Sequence, residues 1–147
     1  MTSIEKLTRD RSRIILLMAL TFTLWQGAHI ATRLLPEGTS GFVYASITVA
    51  VGAVAYVATA IGLWVFQRRV RKANAGCTLN DDWAKHIRAM SMQYGFIFLI
   101  GAIALMYAAS QFLDLPVIAV LQGLLLIGVV STLLAYVWLE RKGEGAE

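Results

Sequence analysis

The chain has 147 residues, of which 58% are hydrophobic and 15% charged, with a formal net charge of +4. A soluble domain carries about 25% charged residues, so the composition excludes an ordinary water-facing surface over most of the chain. The one cysteine, Cys77, excludes an intrachain disulfide and a cysteine-rich metal site.

In chain order, a basic start (Lys6, Arg9, Arg11, Arg13) leads into an apolar run at 14–35. That beginning fits a secretory signal, but the run is too long and no small-x-small cleavage site follows it. It reads as an uncleaved first span. Further runs occupy 42–67, 89–113 and 116–139, each longer than the roughly 20 residues a bilayer core requires. None carries a carboxylate in its middle, and soluble buried helices are rarely so long and so apolar all round. The expectation is an all-α membrane protein. It would be a single domain over 1–147, an antiparallel bundle of four transmembrane helices.

Within the first span, "TFTLWQGAHIATR" places Gln26, His29 and Arg33 at i, i+3 and i+7, on one face. Polar groups in hydrocarbon are costly and normally face the bundle. Gln122 of the fourth span completes the candidate intramembrane cluster, since it can meet Gln26 or His29. Packing is the plainer reading of this cluster. The sharper one is an outward-facing polar pocket, with His29 able to titrate near neutrality.

The first connection, "PEGTSG" (Pro36 to Gly41), has turn chemistry and no room for a domain. Small-xxx-small pairs follow in the second span (Ser46 and Ala50, Ala58 and Gly62). Others lie in the third (Gly101, Ala104, Ala108) and fourth (Gly128, Ser131, Ala135). Such pairs let helix backbones approach closely. Aromatics near the span ends (Phe42, Tyr44, Trp64, Phe66, Phe112, Trp138) suit interfacial belts.

The segment 68–88 is the one sizeable polar loop. It opens with "RRVRK" (Arg68, Arg69, Arg71, Lys72). It closes in a helix start, where Thr78 or Asn80 can cap, Asp81 faces Lys85, and Asp82 faces His86. Trp83, Ile87, Met90 and Tyr94 share one face, so the third helix is expected to start in water and run unbroken into lipid. The solvent would change near Arg88, whose head can reach phosphates. The last connection, "DLP" (Asp114 to Pro116), is tighter; Asp114 can cap the fourth helix, with Pro116 in its first turn.

Of the thirteen lysines and arginines only Arg33 lies on the side opposite the other twelve. Basic residues near span ends are retained on the cytoplasmic side. The N-terminus, the central loop and the C-terminus are therefore expected in the cytoplasm. Short outer connections make sequential helices neighbours, in up-down-up-down order. The positive charge suits anionic lipid headgroups, and no direct nucleic-acid contact is expected.

A basic N-terminus leading to "LWQG", a central "LNDDWAKHIRAMSMQYGF" and a fourth span ending in "LERK" resemble a group of small, uncharacterised four-span bacterial inner-membrane proteins. The group's His-Arg pair appears here as His86-Ile87-Arg88, with one residue inserted. Some members are encoded beside helix-turn-helix transcription regulators. The resemblance implies a protein of a bacterial inner membrane that restrains or tethers a regulator.

No Ser–His–Asp set, paired carboxylates, phosphate loop or metal cluster is visible, so neither enzyme activity nor a cofactor is expected. Haem ligation would want a second well-placed histidine, and His86 lies at the far end from His29. The first span also lacks the carboxylate on which small four-span multidrug exporters rely. Two functions remain. One is a membrane-bound protein that tethers or regulates a protein partner through a ledge formed by Arg68, Arg69, Arg71, Lys72, Trp83, Lys85, His86 and Arg88. The alternative is a homo-oligomeric small channel or transporter lined by the intramembrane cluster. A homodimer is compatible with either.

Overall fold

A computed structural model describes residues 3–72, 82–114 and 116–144. The chain forms four helices: α1 Ser3–Leu34, α2 Ser40–Lys72, α3 Asp82–Ser110 and α4 Val117–Glu144. Each contains a stretch long and apolar enough to cross a membrane, the pattern of a multi-pass membrane protein. At 1.5 Å per residue, a 32-residue helix such as α1 is about 48 Å long, well beyond the roughly 30 Å of a hydrocarbon core. The surplus falls where the basic residues are. "RRVRK" is the last turn and more of α2, where a loop was expected, because nothing before Lys72 breaks the helix. The helices thereby shorten the expected 68–88 loop to 73–81. The candidate caps Thr78 and Asn80, together with Asp81, lie outside the described residues, as do the side chains of Arg71, Lys72 and Asp82.

The first connection follows its turn chemistry. Thr39 N–H donates to the Pro36 carbonyl across 3.4 Å, and Gly38 takes a φ of 84°, which a residue with a Cβ adopts at a cost. Thr39 then caps α2: its hydroxyl oxygen accepts from Phe42 N–H at 3.2 Å. At the other connection the Pro116 carbonyl accepts from Val120 N–H at 3.1 Å. Pro116 therefore sits at the boundary of α4, one place earlier than the first-turn position expected.

The packing order is α2–α1–α4–α3. α1 packs on α2, α4 packs on α1, and α3 packs on α4; among the described residues no other pair of helices packs comparably. Sequential neighbours hold for the two tight hairpins but not for α2 and α3, which the longer connection leaves apart.

Two of these contacts rest on single glycines. A Cβ at Gly52 of α2 would lie 2.9 Å from Trp25 Cα, and one at Gly95 of α3 would overlap Thr132 Oγ1 of α4. Around Gly52 the rings of Phe22, Trp25 and Tyr56 close the α1–α2 seam, with Trp25 stacked on Tyr56 at 5.6 Å. The expected small-residue pairs behave differently. Ser46, Ala50 and Ala58 are exposed, and a Cβ on Gly62 or Gly101 would meet nothing within 4 Å. Gly128 does meet a neighbour, Leu99 of α3, at 3.5 Å.

Hydroxyls within the apolar helices are satisfied by their own backbone. Thr23 donates to the Ala19 carbonyl at 2.7 Å and Thr132 to that of Gly128 at 2.8 Å. This back-bonding removes the need for a polar partner elsewhere. The accessible surface is 9895 Å², against about 7,400 Å² for a water-soluble monomer of this mass. Much of the excess is apolar: Leu20, Val54, Phe96, Phe98, Leu105 and Leu121 are all more than half exposed.

Candidate interaction site at the basic end

The start of α1, the end of α2, the start of α3 and the end of α4 meet at one end of the bundle. Its centre is a buried ion pair between the two middle helices. Arg11 and Ser12 of α1 both bond to the Glu140 carboxylate of α4, and Arg11 Nε donates across 3.0 Å. Glu140 is 4% exposed and Ser12 8%. A buried carboxylate is tolerable only when paired and hydrogen-bonded; here both oxygens are engaged. The Arg11 guanidinium also lies 5.7 Å from the centre of the Tyr136 ring, and Arg88 of α3 reaches the same tyrosine. Beneath them Ile87, Tyr136 and Val137 form the buried core, with Ile15 and Leu139 against it.

None of Arg11, Ser12, Tyr136 and Glu140 was among the expected site residues. The signal was present but slight: Tyr136 and Glu140 are four apart and share a helix face, and Glu140 directly precedes the cations Arg141 and Lys142 at the end of its span.

Cations and indoles surround this centre. Arg68 lies 3.6 Å over the Trp64 ring and Lys142 5.2 Å from that of Trp138. A cation over an indole keeps its charge near water while its stem covers apolar surface. Trp83 is 55% exposed and stacks with His86 at 6.1 Å. Arg69, Lys85, His86 and Arg88 are exposed too. The structure thus divides the expected ledge into two groups. Arg68 and Arg69 belong to α2, and Trp83, Lys85, His86 and Arg88 to α3, with the Arg11–Glu140 pair of the middle helices between them.

The face expected for α3 is corrected in one respect. Its packed stripe is Ala84, Ile87, Ser91 and Gly95, all buried; Ile87 is where expected, whereas Trp83 faces outward. Close approach to α4 demands small side chains along the seam, and an indole does not fit there.

At the far end, Gln26 and His29 are half-buried and Arg33 is exposed. The antiparallel register that sets Arg11 opposite Glu140 brings His29 level with Gln122 of α4. His29 Nδ1 and Gln122 Oε1 are both buried, and among the described residues neither has a hydrogen-bond partner. The cluster is thus level along the helices but not bonded together. Among the described residues no group of His, Cys, Asp and Glu has the grouping to hold a metal ion. No family model, curated protein or solved structure matches this chain.

Proposed function

We propose that the chain is a non-enzymatic multi-pass protein of a bacterial inner membrane, with both termini in the cytoplasm. Its basic end tethers or regulates a cytoplasmic or membrane-bound protein partner. One observation carries this reading: the exposed charge and the exposed indoles are concentrated together on the helix ends at that side. Arg68, Arg69, Trp83, Lys85, His86 and Arg88 are all exposed, while Glu140, an acid among them, is buried and paired with Arg11. A cationic surface with projecting aromatics suits an acidic protein face, with Trp83 as its anchor. The orientation rests on the twelve cations of that side against Arg33 on the other.

The test is recovery of a partner from mild detergent. Trp83→Ala, or charge reversal at Lys85 and Arg88, is expected to abolish co-purification while membrane insertion is retained. Undiminished recovery from both variants would sink the reading.

A second reading draws on the unpartnered His29 and Gln122 atoms: a homo-oligomer whose facing chains line a polar path. It predicts solute or ion flux in liposomes that changes with His29→Ala. Silent liposomes across candidate solutes would count against it.

A further inference from the structure

A groove of about 460 Å³ runs along the α1–α2 seam at the basic end. Its walls are apolar (Ile14, Ile61, Val65, Phe66), its floor includes Ala58 and Gly62, and its mouth carries Asp10, Arg13 and Arg69. We propose that this groove is a binding site for an anionic glycerophospholipid of the cytoplasmic leaflet. One acyl chain would lie against Ala58 and Gly62, with the phosphate between Arg13 and Arg69. The inference rests on the chain spanning a membrane with its basic end in the cytoplasm, but not on the protein-partner reading.

Three observations converge on this occupant. The first is the polarity gradient: the groove is hydrocarbon along its length and ionic at one end, as a phospholipid is. The second is charge. Arg13 and Arg69 come from different helices, both are exposed, and among the described residues neither is held in an ion pair. Two guanidiniums against one carboxylate leave a net positive mouth, which complements a phosphodiester. Asp10 offers an acceptor for a headgroup hydroxyl. The third is the floor. A Cβ on Gly62 would meet nothing within 4 Å, and Ala58 is exposed, so these small residues serve no helix–helix contact inside the chain. The contrast with Gly52 on the same helix is direct, since Gly52 is needed for the approach of Trp25. What the small side chains of Ala58 and Gly62 leave is room for a chain from outside the protein.

Guanidinium forks bind phosphate oxygens in a fixed planar geometry, which distinguishes a site from a diffuse cationic surface. A juxtamembrane cation contributes about a fivefold preference for anionic lipid.

Native mass spectrometry of the full chain in detergent, with added dioleoyl phosphatidylglycerol, phosphatidylethanolamine or phosphatidylcholine, tests this directly. Retained phosphatidylglycerol adducts should exceed those of the other two lipids. Arg13→Gln with Arg69→Gln should lower retention about fivefold per arginine, and the paired lysine substitutions should lower it less. Gly62→Leu should lower it too while leaving both arginines in place, and it should leave partner recovery unchanged. Circular dichroism and membrane fractionation confirm that each variant is folded and inserted; Gly62→Leu projects into open space and is expected to be both. Equal retention of the three lipids, or retention unaffected by both sets of variants, overturns the site. Retention of phosphatidylethanolamine equal to phosphatidylglycerol would assign the mouth to a zwitterionic headgroup and overturn the anionic claim. A chain monodisperse in plain buffer would overturn the membrane premise itself.

Discussion

Glu140 would cost several kcal/mol to bury alone, and it is Arg11 and Ser12 that make its position tenable. The two halves of this pair are therefore not interchangeable with nothing. Arg11→Met leaves a charge in a site 4% exposed and is expected to destabilise the detergent-solubilised protein by about 3–5 kcal/mol. Adding Glu140→Leu removes the stranded charge and is expected to recover most of that loss. Thermal or denaturant unfolding of the single and double variants measures both; a double variant as unstable as Arg11→Met would show that the pair is not the source of the cost. Gln122 poses the opposite case. Its Oε1 is buried without a partner among the described residues, and such an atom costs about 1–3 kcal/mol. Gln122→Leu keeps most of the volume and removes the orphan, so the melting temperature should hold or rise. A fall would mean that the amide is bonded in the folded protein, as a functional polar path requires.

Between helices the decisive quantity is how closely two backbones approach, and this turns on two glycines. At Gly52 the obstacle to a Cβ is the Trp25 backbone, which cannot rotate away; at Gly95 it is mainly the Thr132 side chain. Gly52→Ala is expected to cost about 1–3 kcal/mol, the usual range for overpacking. Gly95→Ala should cost less and be partly rescued by Thr132→Ala, while Gly62→Ala and Gly101→Ala should be neutral in the same unfolding assay. The sequence pattern sorted these four glycines the wrong way round. Hydropathy reveals that a segment is apolar and helical, so all four helices and the tight turn at Gly38 were legible from the residues. Which side of an apolar helix meets a neighbour is not legible that way, because both sides are equally apolar. The small-xxx-small rule selected Ser46, Ala50, Ala58 and Gly101, which are exposed, and Gly62, which meets no neighbouring helix; it also selected Gly128, which does meet Leu99, but it passed over Gly52 and Gly95. At the water-facing start of α3 the periodicity grouped Trp83 with Ile87, yet only Ile87 is buried, because the seam with α4 takes small side chains and not an indole. Arg11 and Glu140 went unnoticed as a pair because they are far apart in the chain and joined only by the antiparallel docking of α1 on α4.

At the scale of the molecule the charge distribution and the helix order make one joint claim. Helix ends at 9–13, 68–72, 83–88 and 140–142 share one side of the bundle, and twelve of the thirteen cations are on or next to them. If that side is cytoplasmic, the connection between α2 and α3 is cytoplasmic as well, and the turn at Pro36–Thr39 is not. The chain supplies its own reporter, since Cys77 is the one cysteine and lies in the 73–81 connection. A membrane-impermeant maleimide applied to spheroplasts is expected to leave Cys77 unlabelled and to modify it once the membrane is permeabilised. In a Cys77→Ser background, Glu37→Cys should show the reverse, reacting before permeabilisation; Glu37 is exposed and, unlike Gly38, does not need a positive φ. Labelling of Cys77 from outside with Glu37→Cys protected would invert the bundle. The basic ledge would then face away from any cytoplasmic partner and from the inner leaflet, and both the tethering role and the inner-leaflet lipid site would fail together. Labelling of both positions without permeabilisation would mean that the four helices do not form a barrier-spanning unit at all.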